Sequence, residues 1–144
     1  MKLKQITISL ENSHGRLFEV TNALGKAGIN LRAANLVDTG AFGQLRLLVS
    51  DVPAARRILM EMMLPAFEEE VVAVEIDDKP GQLAHLLKSF IETKINILYT
   101  YAFVGLSSGN VVMIFRFNNN EDAIKILKKN SFKILDAGAL GIVK

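Results

Sequence analysis

A chain of 144 residues can hold one ordinary domain or two very small ones, and a hydrophobic content of 50% gives it enough apolar surface to build a core. Its 17 Lys/Arg against 15 Asp/Glu leave a formal charge of +2, too small for a broad phosphate-binding field, so nucleic acid is not an expected partner. The absence of cysteine excludes disulfides, thiolate metal sites and cysteine nucleophiles, and fits a reducing, cytoplasmic setting.

The first residues, Met1 to Ile6, lack the apolar segment and small-residue cleavage site of a secretory signal. Ile6, Ile8 and Leu10 then alternate with Thr7, Ser9 and Glu11, predicting a half-buried strand with its polar side chains outward. The turn Asn12-Ser13-His14-Gly15 follows, and after it a helix with Leu17, Val20, Leu24 and Ala27 on one stripe and Gly28 at a left-handed exit. Leu31 to Val37, a turn at Thr39–Gly43, and Leu45, Leu47 and Val49 alternating with Gln44, Arg46 and Leu48 predict a hairpin. A second helix starts at Pro53, where a missing N–H costs little, and runs through Ala55, Ile58, Leu59 and Met62. Ala66-Phe67-Glu68 leaves little room for a fourth strand.

The same series then recurs. Residues 6–49 match 72–115 at an offset of 66, placing Gly15 over Gly81, Leu17 over Leu83, Leu24 over Phe90, Ile29-Asn30-Leu31 over Ile95-Asn96-Ile97 and Gly43 over Gly109. Past residue 50 the offset becomes 68, with Ala55 over Ala123 and Ile58-Leu59 over Ile126-Leu127, which puts a two-residue insertion around Asn118-Asn119-Asn120. Lys94 stands where the first repeat has Gly28. The uncharged run Ile95 to Phe115 is long enough to cross a bilayer, but the turn formers Ser107–Asn110 divide it into two strands, and no membrane partner is expected. A fourth strand is predicted at Phe132–Leu135.

The boundary falls near Glu68–Glu70, giving units 1–69 and 70–144. Each reads β-α-β-β-α-β. The fold class is therefore α+β: two ferredoxin-like units packed side by side, with an antiparallel sheet and helices on one face. A core of about 70 residues is thin, so the two units are expected to depend on each other.

Catalytic chemistry is scarce. His85 lies on a helix with no carboxylate at helical spacing and reads as surface; His14, in the first strand-to-helix turn, fits either a ligand contact or a solvated loop. No metal-ligand cluster, Walker loop or dinucleotide glycine motif is present, so no catalytic residue, metal or cofactor is assigned. The chain does carry, twice, a tight turn that delivers a helix N-terminus. First-turn N–H groups lack intrahelical partners and can hold a carboxylate, Gly15 and Gly81 give a ligand access to the backbone, and Asn12, Asp77 and Asp78 can hold an ammonium group. The same Asn, Asp and Ser residues also serve as ordinary caps and turn formers. Asn35 and Asp38, or Tyr99 and Tyr101, would supply the remaining wall from a second strand; the tyrosines fit a core or interface equally well.

These residues resemble the tandem ACT-domain proteins. Val74-Glu75-Ile76-Asp77-Asp78-Lys79-Pro80-Gly81-Gln82-Leu83 is similar to that family's strand, D-x-P-G-x-L turn and helix start, and Ile95-Asn96-Ile97 to its helix exit. Glu11 to Leu17 and Gly28 to Leu31 repeat the pattern, and Asp38-Thr39 with Phe42-Gly43-Gln44-Leu45-Arg46 resembles the tandem subgroup. The resemblance implies a non-enzymatic sensor that binds a free amino acid where the strand-to-helix turn of one unit faces the second strand of another. By position it nominates Asn12, Gly15, Arg16 and Leu17, with Asp78, Gly81, Gln82 and Leu83. His14 stands where the family has proline. A homodimer is expected, and an amino-acid metabolic enzyme is a candidate partner. The rival reading is a subunit that stabilises a biosynthetic enzyme and binds nothing small.

Overall fold

The computed structural model of the protein describes residues 1–104 and 108–143. Its strands and helices follow in the order β1 (Leu3–Glu11), α1 (Arg16–Lys26), β2 (Leu31–Asp38), β3 (Phe42–Val49), α2 (Val52–Glu61), β4 (Ala66–Ile76), α3 (Gln82–Lys88), β5 (Ile97–Val104), β6 (Val111–Phe117), α4 (Asn120–Lys129) and β7 (Lys133–Leu135). Two compact units result: Lys4–Glu69 with Ala137–Lys144, and Met1–Leu3 with Glu70–Asp136. Ser107, the first residue of the predicted second hairpin turn, lies outside the described residues.

In the first unit the strands order β2-β3-β1-β4, and β1 pairs antiparallel with β3. Ile6, Ile8 and Leu10 stand opposite Leu47, Leu45 and Gly43, and all three are buried, as are Val20 and Leu24 of α1 and Val52, Ala55 and Leu59 of α2. Each fully buried aliphatic side chain of this kind contributes about 1.5–3 kcal/mol over leaving it in water. The second unit orders β5-β6-β4-β7, all antiparallel. Val72, Val74, Phe115, Phe117, Leu86 and Leu127 anchor its core.

Three expectations change. Thr7 is buried, not outward: its hydroxyl donates to Glu69 Oε1 at 2.6 Å and accepts from Gln5 Nε2 at 3.0 Å, so the polar pair is satisfied internally. The missing fourth strand of the first unit exists as the opening residues of β4, which runs uninterrupted from Ala66 to Ile76 while the unit boundary falls between Glu69 and Glu70. The two-residue insertion lies in the β5–β6 hairpin, not at Asn118–Asn120. Ile6 pairs with Leu47 and its equivalent Val72 with Phe115, so the offset is already 68 on β6. Gly43 is accordingly a strand residue, whereas Gly109 has a φ of 78° in a turn.

Lys94 avoids the left-handed conformation taken by Gly28 (φ 77°), so this turn is made differently in the second repeat. Past α3 the chain continues in tighter i→i+3 bonds, from Ser89 N to Leu86 O through Thr93 N to Phe90 O. The Thr93 hydroxyl closes the exit, donating to Phe90 O at 2.7 Å and accepting from Ile95 N at 3.2 Å. A side chain does there what glycine does in the first repeat.

At the other ends the repeats agree closely. Asp51 caps α2 by accepting from Ala54 N, and Asn119 caps α4 by accepting from Asp122 N, both at 3.0 Å. The last residues carry structure that periodicity does not announce: a 3₁₀ turn at Gly138–Leu140, then Val143 accepting from Val52 N at 2.9 Å and donating to Ser50 O at 2.7 Å. Ala137, Leu140 and Ile142 are buried along the way.

Candidate functional site

The strand-to-helix turn of the first unit is built by Gly15. With φ 82° it takes the left-handed conformation at the N-cap of α1, which only glycine adopts without penalty, and no side chain caps the helix. Gly81 does the same for α3 at φ 84°. A Cβ placed on either glycine would meet nothing within 4 Å, so the backbone conformation and not crowding calls for glycine, and the space over both turns is open. Asn12 N donates to Ala41 O at 3.1 Å, tying the turn to the β2–β3 connection. That connection is itself fixed by Thr39, whose N–H and hydroxyl both donate to Phe42 O, and by Asp38 Oδ1, which accepts from Gly40 N at 2.9 Å.

Between these two loops lies a cleft of about 480 Å³ lined by Leu10, Glu11, Asn12, Ser13, His14, Gly15, Leu17, Phe18, Leu36, Asp38 and Gly43. Its size falls within the range of about 300–1,000 Å³ usual for small-molecule sites. Of the residues nominated from sequence in this unit, Asn12, His14, Gly15, Leu17 and Asp38 converge on it. Arg16 does not: its guanidinium pairs with Glu19 at 2.8 Å along the helix. Asn35 does not either, because the strand pleat sends it to the face opposite Leu36 and Asp38, where its Oδ1 accepts from Arg46 Nη1 at 3.1 Å. The wall comes from β2 of the same unit, through Leu36 and Asp38. Leu36 and Phe18 carry no family signature at sequence level; only their neighbourhood to the turn would have pointed to them.

In the second unit Asp77, Asp78 and Gly81 are exposed at the turn, Gln82 is half-buried and Leu83 is 37% exposed. Tyr101 stands opposite Ile114 on β6 and is buried at 8% exposure, while Tyr99 stands opposite Arg116 and is half-buried. Tyr101 thus serves packing. His85 packs its ring 5.5 Å from that of Phe132.

Among the described residues no cluster of His, Asp and Glu could hold a metal ion, and no helix is long and apolar enough to cross a membrane.

The sequence model of the family described as "ACT domain pair" matches residues 1–142. The crystal structure of protein BT0572 from Bacteroides thetaiotaomicron is similar over 99% of this chain and 98% of its own, at 33% identity and a TM-score of 0.91. The ligand-free regulatory subunit of aspartate kinase from Thermus thermophilus shares the fold at 18% identity, TM-score 0.62, over 88% of this chain and 90% of that one. Its counterpart from Thermus flavus is alike, at 17% identity, TM-score 0.60, over 87% of this chain and 88% of its own. No curated protein matches.

Proposed function

The chain belongs to the ACT domain pair family, and from that premise we propose that it is a non-enzymatic regulatory protein that binds a free amino acid at the first strand-to-helix turn. The observation that carries this reading is the convergence of Asn12, His14, Gly15 and Asp38 on one cleft beside a helix start that no side chain caps. Backbone N–H groups of that start suit a carboxylate and the Asp38 carboxylate suits an ammonium, so one zwitterion satisfies both. At the second turn Gly81 offers the same backbone conformation, with Asp77 and Asp78 for the ammonium, Gln82 and Leu83 next in sequence, and Tyr99 on β5 as the candidate wall.

Exposed apolar side chains surround the first cleft: Phe18 at 68%, Leu36 and Phe42 at 49% each. A second copy of the chain would cover them, and a homodimer whose packing shifts on ligation would turn binding into a signal. A cytoplasmic setting belongs to the same reading. Calorimetry of the folded chain against the twenty amino acids tests it; twenty flat titrations would end it.

A second reading has one observation in its favour, the fold shared with the regulatory subunit of aspartate kinase from Thermus thermophilus. In it the chain stabilises a separate amino-acid metabolic enzyme and binds nothing small. Copurification of such an enzyme together with silent amino-acid titrations would favour it.

A further inference from the structure

The two repeats make the same turn, but they do not furnish it alike. In the first unit the lining of the cleft is dominated by Leu10, Leu17, Phe18 and Leu36, and it contains no lysine or arginine. At the 66-residue offset, which holds through β1, α1 and β2, Leu10 and Leu17 correspond to Ile76 and Leu83. Phe18 and Leu36 correspond to Ala84 and Ala102. Two of the four large apolar side chains of the wall therefore exist in one repeat only.

Phe18 and Leu36 are 68% and 49% exposed, so their own unit gains little from their size. Alanine at both counterparts shows that the fold does not need them there. What they do provide is an apolar wall next to polar groups suited to a ligand backbone. Resting on the amino-acid reading above, we propose that the first-unit cleft selects an amino acid with an uncharged, apolar side chain of leucine or phenylalanine size, and that the second turn lacks this selectivity. An acidic side chain would meet Glu11 and Asp38 with no lysine or arginine in the lining to balance it. A basic side chain is the serious competitor, since Glu11 could receive it, but it would have to cross the apolar wall to do so.

The experiment is a panel of leucine, phenylalanine, alanine, glutamate and lysine titrated into the full chain by calorimetry, repeated with Phe18→Ala and Leu36→Ala. Amide chemical shifts around Gly15 and Gly81 report which turn responds, and circular dichroism confirms that the variants are folded. Leucine or phenylalanine should bind at least about tenfold more tightly than alanine, as loss of several methylene contacts dictates, with shifts at Gly15. Each variant should lower that affinity several-fold and lower alanine affinity less. Lysine, glutamate or alanine binding as tightly as leucine would overturn the proposal, as would leucine binding that both variants leave unchanged or that moves only Gly81. Failure of every amino acid to bind would instead overturn the amino-acid reading itself, so the two failures are distinct.

Discussion

Met63 and Ser131 occupy the same left-handed position, with φ of 59° and 65°, two residues past the ends of equivalent helices, and neither is glycine. Both ends close alike: Leu64 N donates to Leu59 O at 2.9 Å and Phe132 N to Leu127 O at 3.0 Å. Left-handed backbone costs an L-residue roughly 1–2 kcal/mol. Met63→Gly and Ser131→Gly should therefore each stabilise the protein, by about 1 kcal/mol or less once the greater freedom of glycine in the unfolded chain is counted. Urea denaturation measures this; a lower midpoint for both variants would contradict it.

Gly15→Ala and Gly81→Ala should do the reverse. The added methyl meets open space in both turns, so the cost is conformational alone, about 1–2 kcal/mol each. Equal losses from the two variants, read from thermal or urea unfolding, would confirm that the turns are equivalent in their backbones.

The caps are the next pair. Asp51→Ala and Asn119→Ala each remove an acceptor 3.0 Å from a helix N–H, and each should cost about 1 kcal/mol. A double variant should lose the sum, since these caps belong to different units.

Thr93→Ala tests the substitute for glycine at the end of α3. Removing the hydroxyl leaves Phe90 O and Ile95 N without their side-chain partner, for an expected loss of about 0.5–1.5 kcal/mol. Faster amide exchange over residues 90–95 should accompany it.

Lys2 is one source of pH dependence. Hydrogen bonds to Glu121 and Glu70, each at 3.2 Å, raise its pKa above the ordinary 10.5. A raised folded value means that its contribution is complete below 10.5 and is lost as pH climbs through the folded value. Wild type and Lys2→Met should thus differ in urea midpoint at pH 9 and converge toward pH 12.

Local signals made much of this fold legible. Alternation at Ile6–Leu10 and the glycines before α1 and α3 are decided by a few neighbouring residues, and these features were readable in both repeats. Properties set by distant partners were not. Thr7 reads as outward because its pleat is polar, yet Gln5 and Glu69 enclose it. Gly43 and Gly109 share a letter while one sits in a strand, with Leu36 3.0 Å from where a Cβ would lie, and the other in a turn. In the cleft, the turn residues were apparent from sequence. The wall was not, because Asn35 and Asp38 lie an odd number of residues apart and could never share a strand face.

Residues 137 to 143 lead to a last point. They close over the half of the chain farthest from them in sequence, with Gly141 so near Arg32 that a methyl group would come within 2.7 Å of the guanidinium, while Met1–Leu3 side with residues 70–136. A gene cut at its point of duplication would therefore express two fragments, each short of a piece encoded on the other.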